Sequence, residues 1–592
     1  MFLKMTKQKN GRINMSIVHG FRDPVTKKTK HKVLENLGYV DEYMDRYADP
    51  VAHFKEVVRI RNQEMKEEEA GKEIPLGSVY INELVDENED AMHHLGFLPL
   101  SSIYHKLKLD QFLINRQRSK AMDYSLNDVM QLLVYTRVLA PGSKKASFLQ
   151  KENLAGSFNC DWFDVYRALD YFSAFRDDLL LHLHEQVRIN YKRNTHVIFY
   201  DVTNYYFEID QEDDFRRKGF CKHNTRNPLV QMGLLLDADA IPITYRLFKG
   251  NTHDSQTMMP LLKETRKDYG LGRVIMVADK GLNSGDNVAF LMAKGDGFIF
   301  SQKIRGADQE LQKYVFNPEG YVETQGMVKQ NDEWAEEADN QDIPAFRMKS
   351  RCYPQEFWVT HADDKKRKVP LDVKQIVCYN EQFARRQKHK RAEVLKKAQK
   401  IITHPKYYNK KDTGGALRYV KNIEYNPETG ECLNTKRVPY LDREKIAEDE
   451  KYDGYYVIIT SEVRMPDREV VKAYHGLWEI ERSFRITKTN LESRPVYVSR
   501  ENRIDAHFLT CFIALLILRL LCKQLEGKYS PEQVINSLKK YQVCHMKDNV
   551  FRLAYHDPII RDLGTALNLT LNRRFLTTGG LRQLVANSKK KS

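Results

Sequence analysis

The sequence predicts an α/β protein built on a mixed sheet, because strand-type segments begin near residue 196 and then alternate with a helix-type segment. These segments are short and apolar, as buried strands are, and the strands are expected at residues 196–200, 229–236, 241–248, 273–278 and 297–301. The link Asp237-Ala238-Asp239-Ala240 is short enough for a hairpin between the second and third strands. A helix expected at residues 256–268 precedes the fourth strand. A meander followed by alternating strands and helices describes a mixed five-stranded sheet with helical cover.

The residues before this sheet divide into a small basic module and a helical region. Turn-forming and basic residues separate short apolar runs near the N-terminus, which is typical of a β-rich module. The pattern predicts a strand at residues 15–21, a turn at Asp23-Pro24, a second element at residues 32–38 and a charged helix at residues 51–71. We expect the basic module to span residues 1–75 and the helical region residues 76–194.

One helix of this region has clear signals at both ends. Ser125 is placed to cap a helix that runs to Leu139, and the basic turn Pro141-Gly142-Ser143-Lys144-Lys145 ends it. Such an arrangement fits a helix-turn-helix that reads DNA, and it fits an ordinary helical packing domain equally well. The sequence leaves both interpretations open.

A charged segment, residues 306–453, interrupts the strand pattern before a strand returns at residues 455–460. It contains the run Arg385-Arg386-Gln387-Lys388-His389-Lys390-Arg391, inside a helix expected at residues 379–402. Such a run is either a solvated helix face or a surface that contacts phosphates. A long helix is expected at residues 467–488, and helices dominate from there to about residue 570.

Length and charge limit the class of protein. A chain of 592 residues is too long for one hydrophobic core, and three or four domains are expected. The net charge of +15 and the pI of about 9.1 indicate a polyanionic partner, with nucleic acid first and an anionic membrane second. A basic protein with no such partner is the alternative on charge alone.

Membrane and disulfide classes are disfavoured. The longest apolar run, Phe508–Leu518, is shorter than the roughly 20 residues of a membrane span. A secretory signal is not expected, because no long apolar stretch follows the charges of residues 1–7. The cysteines are scattered without a C-x-x-C pair, at positions 160, 221, 352, 378, 432, 511, 522 and 544. A reducing cytoplasm is therefore expected.

Two of the expected strands end in aspartate. Asp201 follows Val197–Tyr200, and Asp279 follows Ile275–Ala278. Ligand sites of α/β sheets lie beyond the carboxyl ends of strands, and two carboxylates held together there repel each other unless a cation lies between them. Mg²⁺ or Mn²⁺ suits such oxygen-only sites. Each aspartate taken alone is equally typical of a turn or a helix cap.

A third acidic residue is expected from the helix at residues 467–488. Tyr474, Glu481 and Lys488 are spaced by seven and, together with Arg485, form one polar stripe. An apolar face lies next to the stripe and consists of Val470, Ala473, Leu477, Ile480 and Phe484. Glu481 at the border of that face is costly unless it is paired or binds a metal. An exposed helix in which Glu481 pairs with Arg485 is the alternative.

These motifs together resemble those of the DDE-type insertion-sequence transposases. One branch of that family has a signature of Tyr, two residues, Arg, three residues, Glu, six residues and Lys. This chain has Tyr474, Glu481 and Lys488 at those places, but Leu477 stands at the Arg position. The contexts Tyr200-Asp201-Val202-Thr203-Asn204 and Ala278-Asp279-Lys280-Gly281-Leu282-Asn283, and the segment Gly250-Asn251-Thr252-His253-Asp254, are also similar to that family.

The resemblance implies an RNase H-like core in which Asp201, Asp279 and Glu481 form a catalytic triad that binds two Mg²⁺ or Mn²⁺ ions. It implies core parts at residues 195–305 and 454–500, an inserted β-containing domain at 306–453 and a C-terminal helical dimerisation region at 501–592. Residues 1–194 would then contribute to DNA binding.

The resemblance also implies the partners of the chain. Tyr474 and Lys488 would contact the backbone of the transposon ends, and Arg485 or Arg482 would replace the phosphate contact missing at Leu477. A homodimer would act on paired double-stranded DNA ends and on target DNA, in the bacterial cytoplasm at the nucleoid and without a membrane. Cutting and joining would both be phosphoryl transfers.

Other functions remain open to different degrees. An RNase H-like nuclease that cuts without joining, or an inactive relic that only binds DNA, has the same three acidic residues. A basic DNA-binding protein without catalysis is disfavoured by the intact acidic set. A tyrosine recombinase is disfavoured because no Arg/His/Tyr cluster stands out, and a serine hydrolase because no G-x-S-x-G motif occurs.

Overall fold

The computed structural model describes residues 1–8, 11–22, 29–70, 92–219, 227–324, 327–330, 333–336, 345–404, 415–422, 424–425, 432–433, 438–546 and 549–590. The chain forms two compact units, Met1–Val85 and Asp86–Ser592. The turn expected at Asp23-Pro24 and the boundary expected between residues 75 and 76 lie outside the described residues.

The helices are α1 (Pro50–Ala70), α2 (Phe97–Lys106), α3 (Leu109–Gln117), α4 (Leu126–Leu139), α5 (Lys144–Leu149), α6 (Trp162–Ala174), α7 (Arg176–Tyr191), α8 (Met258–Asp268), α9 (Gly285–Ala293), α10 (Gln309–Phe316), α11 (Glu381–Thr403), α12 (Arg443–Glu450), α13 (Asp467–His475), α14 (Trp478–Arg485), α15 (Glu501–Gln524), α16 (Pro531–Lys540), α17 (Pro558–Ala566) and α18 (Thr578–Ser588). Short 3₁₀ turns span Val40–Tyr43, Asp254–Gln256 and Ala416–Tyr419, and a π-helical turn spans Ile486–Asn490.

The strands are β1 (Phe2–Lys7), β2 (Ile13–Arg22), β3 (Thr29–Tyr39), β4 (Met92–His94), β5 (Val197–Tyr206), β6 (Leu229–Leu236), β7 (Pro242–Lys249), β8 (Ile275–Ala278), β9 (Gly297–Gln302), β10 (Val322–Thr324), β11 (Met327–Gln330), β12 (Glu333–Glu336), β13 (Phe346–Thr360), β14 (Lys366–Asn380), β15 (Val420–Lys421), β16 (Glu424–Tyr425), β17 (Cys432–Leu433), β18 (Tyr440–Leu441), β19 (Tyr455–Thr460), β20 (Gln542–His545), β21 (Val550–Leu553) and β22 (Phe575–Thr577).

The N-terminal unit is a three-stranded antiparallel sheet, in the order β1-β2-β3, followed by α1. Met15, Ile17 and Val18 on β2 are fully buried, whereas most of β3 is exposed. The strand expected at residues 15–21 is confirmed as part of β2, the second element expected at residues 32–38 is part of the strand β3, and the expected charged helix is α1.

The second unit is organised around a nine-stranded mixed sheet, in the order β10-β13-β14-β19-β9-β8-β5-β6-β7. The five strands expected from the sequence are adjacent in it, as β7-β6-β5-β8-β9. The expected total of five is wrong because β9 does not lie at an edge: β19 pairs with it, and β14 and β13 continue the sheet beyond β19. Three of the four additional strands come from the charged segment 306–453, which is therefore continuous with the sheet.

Helix α15 is the central helix of the second unit and packs against α2, α4, α6 and β7. It is longer than the apolar run expected at residues 508–518 and is long and apolar enough to cross a membrane, but 94% of its most apolar stretch is buried inside the protein. Such burial is typical of the core helix of a soluble protein.

Helix α4 is the helix with the strong end signals. Ser125 caps it by accepting a hydrogen bond from the backbone N–H of Asp128 at 3.1 Å, as predicted. Every residue of α4 except Asp128 is buried, so no face of this helix is available to enter a DNA groove. The burial shows that α4 packs inside the protein, but the second helix of a helix-turn-helix is the one that reads DNA, and α5 after the basic turn has exposed residues such as Leu149, so both interpretations stay open.

The C-terminal region is not only helical, contrary to expectation. Three of its strands join β4 in a four-stranded antiparallel sheet, in the order β22-β21-β20-β4. The strand β4 and the strands β20, β21 and β22 are thus parts of one sheet, which joins the expected helical region before the core to the region after it.

Three buried basic side chains lie between these regions. Arg137, Lys144 and His507 are 1%, 3% and 4% exposed. Arg137 donates to the carbonyls of Leu491 and Glu492 at 3.3 Å. Burial, together with the nearby positive charge of Arg137, lowers the pKa of Lys144 to about 7.

We predict that Lys144 makes stability depend on pH. Between pH 7 and 9 the unfolded chain keeps the lysine proton that the folded chain has released, so the free energy of unfolding rises with pH in this window. In Lys144→Met this rise is expected to be smaller by roughly 2 kcal/mol. Urea denaturation of the wild type and of Lys144→Met at pH 7 and pH 9 measures this rise in the free energy of unfolding. An equal rise in the two proteins would contradict a buried lysine that releases its proton.

Candidate active site

Asp201 and Asp279 are brought together by two neighbouring parallel strands. β5 and β8 pair in parallel, and their last paired residues are Phe199 and Val277. Each aspartate follows two residues later, so both stand at the same level on strands about 4.8 Å apart. β8 ends before Asp279, as predicted. The expected end of β5 at Asp201 is wrong, because β6 pairs with β5 as far as Tyr206.

Glu481 comes from a pair of helices and not from the single helix expected at residues 467–488. α13 ends at His475 and α14 begins at Trp478. Between them, the backbone N–H of Glu479 donates to the carbonyl of Gly476, three residues back, at 3.0 Å, which tightens the chain as in a 3₁₀ turn. A Cβ at Gly476 would lie 2.4 Å from the ring of Phe199. Only glycine lets the backbone pass this close to β5.

The three acidic side chains line one cavity of about 390 Å³. Asp279 and Glu481 are exposed and Asp201 is half-buried, so the cavity is open to a large substrate. The remaining walls come from α11, β19, α13 and α14. The side chain of Arg386 on α11 is a cationic part of these walls.

Two polar side chains lie beside Asp279. Ser301 donates a hydrogen bond to Asp279 at 2.8 Å. Burial raises the pKa of Tyr474, and the negative charges of Asp279 and Glu481 raise it further, so the phenol stays protonated and remains a donor. Among the described residues, no group of three acidic, histidine or cysteine side chains lies close enough to hold a single ion.

Comparison with known proteins decides the family. The model of the transposase DDE domain matches residues 197–517, which is more than half of the chain, and the model of the IS1634 family transposase N-terminal domain matches residues 3–72. The chain belongs to the DDE-type insertion-sequence transposases.

Two solved assemblies show a low similarity to this transposase. The piggyBac transposase synaptic complex with hairpin DNA is 10% identical with a TM-score of 0.35, and the match covers 83% of this chain and 85% of that chain. The Mos1 transposase paired-end complex with the left transposon end is 12% identical with a TM-score of 0.13, and that match covers 31% of this chain and 64% of that chain. No curated protein matches the transposase.

The two acidic residues of Trp478-Glu479-Ile480-Glu481 have different environments in the transposase. Glu479 accepts from the guanidinium of Arg519 at 2.7 Å, and Arg519 also donates to Ser483 at 2.7 Å. Glu481 forms no ion pair with a described residue. The alternative pairing of Glu481 with Arg485 is not seen, because Arg485 contacts Glu532 at 3.6 Å.

The residues expected to contact DNA lie at different distances from the cavity. Tyr474 lines it. Lys488 donates to the hydroxyl of Thr203 and lies 5.2 Å above the ring of Tyr205, on the β5 face that also carries Asp201, because alternate residues of a strand share a face. Lys488 is thus directed along the strand that presents Asp201.

The replacement expected for the missing signature arginine is only partly compatible with the structure. Leu477 lines the cavity. Arg482 is 5% exposed and is paired with Glu532 at 3.1 Å, so the idea that it contacts phosphate is wrong. Arg485 is half exposed in its ion pair with the same glutamate. The cationic side chain at the cavity is Arg386, which the sequence offered only as one member of a basic run.

Buried arginines from other regions fix the helices that carry Glu481. Arg137 binds the carbonyls of Leu491 and Glu492 immediately after the π-helical turn. Arg519 binds the backbone carbonyl of Glu479 as well as its side chain. These contacts connect residues far apart in sequence, and no local pattern predicts them.

We predict that Glu479 is needed for stability and Glu481 is not. Glu479→Ala removes the carboxylate partner of the buried guanidinium of Arg519, which costs about 3 kcal/mol of unfolding free energy. Glu481→Ala removes an exposed side chain and should change it by less than about 0.5 kcal/mol. Urea denaturation of both variants gives the comparison, and equal losses would contradict the separation of the two roles.

Proposed function

We propose that this transposase binds the terminal inverted repeats of its element and cuts and joins DNA strands by phosphoryl transfer at Asp201, Asp279 and Glu481. The observation that carries the proposal is that two neighbouring strands and one helix direct these three carboxylates into one open cavity. The order β7-β6-β5-β8-β9, in which β7, β5, β8 and β9 run in one direction and β6 alone runs antiparallel to them, supports an RNase H-like core.

The donor set fits divalent metal ions. Mg²⁺ is usually held by one or two carboxylates, with water and substrate phosphate completing its shell. Three carboxylates around one cavity would suit two ions that share ligands and substrate phosphate. Asp201, Asp279 and Glu481 would hold the two ions, Mg²⁺ or Mn²⁺.

When bound, such ions activate the attacking oxygen and stabilise the leaving oxygen in an in-line displacement. The protein itself supplies placement and charge neutralisation. Tyr474, a protonated donor beside Asp279, would bind a phosphate oxygen at the cut. Lys488 and Arg485 would both contact the backbone of the transposon end. Water is the nucleophile for cutting, and the freed 3′-hydroxyl is the nucleophile for joining.

We further propose a homodimer on paired ends in the bacterial cytoplasm, at the nucleoid. The C-terminal region would supply part of the interface through its exposed surfaces. α15 would not take part, because it is buried in the core of its own chain.

We predict that Glu481→Ala loses cleavage and joining while keeping its fold and its DNA binding. Purified protein is incubated with Mg²⁺ and labelled DNA that carries the ends flanking its own gene. Because removing an outer partner of a metal site already costs up to about 100-fold, the loss of a ligand should exceed this. Asp279→Ala should behave in the same way.

Glu469→Ala is the matched control, because Glu469 is an exposed acidic residue on α13 that does not line the cavity. It should cut and join as the wild type does. Cleavage without joining by the wild type would favour a nuclease. Binding without any metal-dependent cutting would favour an inactive relic.

A further inference from the structure

We infer that a groove between α11 and the sheet binds the phosphodiester backbone of the DNA next to the cut. The binding would use Arg386 at the acidic cavity, together with Lys390 and the other cationic side chains that line the groove. A second cavity of about 580 Å³ adjoins the acidic one, and the two share Asp279, Phe383, Tyr456 and Tyr474. DNA that places a phosphate at the acidic residues therefore has a continuous path into this groove.

The groove carries an excess of positive charge. Arg305 and Arg391 are neutralised by Asp449 at 2.9 Å and Asp453 at 2.8 Å. Four further cationic side chains of the groove form no ion pair with a described residue: Lys280, Lys303, Lys390 and Arg418. The one acidic residue of the lining that is not in an ion pair is Asp279, which belongs to the site already described. Exposed and uncompensated cations along an open groove are suited to a polyanion.

The basic residues of the run 385–391 on α11 have different roles at this groove. Arg385 pairs with Glu381 of the same helix at 2.7 Å, and the buried Arg391 pairs with Asp453 and so holds the helix in place. Arg386 lines the acidic cavity and Lys390 lines the groove. Because residues four apart lie on the same face of a helix, Arg386 and Lys390 face the same path. Within this run, we therefore assign phosphate contacts to Arg386 and Lys390 only.

Binding through phosphates alone has two measurable signatures. It weakens equally on transposon-end DNA and on unrelated DNA, since phosphates carry no sequence information. It also depends on salt, because each phosphate contact with duplex DNA contributes about 0.9 to the slope of log K against log salt concentration.

The test compares Arg386→Gln/Lys390→Gln with Lys388→Gln/Lys396→Gln. Both pairs remove two positive charges from exposed positions of α11, but Lys388 and Lys396 line neither cavity. We measure dissociation constants for end DNA and unrelated DNA over a series of salt concentrations, together with the melting temperature of each variant. The groove variant should lose about 1.8 from the magnitude of the salt slope, equally on both DNAs, whereas the control should keep the wild-type slope.

Because this inference rests on the proposed function, the outcomes separate the two. A wild type without salt-dependent DNA binding would overturn both. A groove variant with the wild-type slope, or a control with an equal loss, would overturn the groove alone. Inorganic phosphate at constant ionic strength should not displace the DNA from the wild type, and displacement would indicate a site for free phosphate instead. Arg386→Lys/Lys390→Arg keeps both charges and should restore the slope, which excludes misfolding as the cause of its loss.

Discussion

The parallel pairing of β5 with β8 is the contact on which the site depends, because it places Asp201 and Asp279 side by side. Two such carboxylates repel each other, by about 1 kcal/mol at 4 Å in water and by more where water is excluded. The strands that carry them are held by apolar burial: Ile198, Phe199 and the whole of β8 are buried. The aspartates themselves stand where solvent still reaches them. The fold thus supplies the free energy that keeps the two charges together, and the open cavity limits the cost.

Glu481 depends on a different set of interactions, which are ionic and long-range. The helices α13 and α14 approach β5 closely at Gly476, and buried arginines hold them there from outside. Arg519 comes from α15, and Arg137 from α4 in the region before the sheet. A buried guanidinium is costly unless its donors are satisfied, so each arginine fixes the backbone that it binds. The helical regions on both sides of the sheet therefore act as a support for the third acidic residue, which agrees with the burial of α4.

The local sequence pattern predicted the strands and singled out the three acidic residues. It failed where contacts with distant residues decide the structure. The apolar runs before Asp201 and Asp279 marked buried strands correctly. The extent of β5 depends on its partner β6, and the break at Gly476 depends on the ring of Phe199, so neither is visible in a local window. Pairing also decided the size of the sheet, since β19 pairs with β9 and the strands β14 and β13 of the charged segment continue the sheet beyond it. Likewise, nothing in Trp478-Glu479-Ile480-Glu481 tells which glutamate faces an arginine.

The charges around the cavity follow from where the segment 306–453 enters and leaves the sheet. β14 and β19 are neighbours, and α11 begins directly after β14, so the wall that α11 forms is fixed by sheet pairing and not by a mobile linker. This matters because the acidic residues repel the phosphates that they must approach. Divalent ions remove part of that repulsion, and the cations of α11 and of the β9 end offset it next to the cut without entering the metal site. A separate accessory domain joined by loops would not hold such cations at a fixed distance from Asp279, whereas a continuation of the same sheet does.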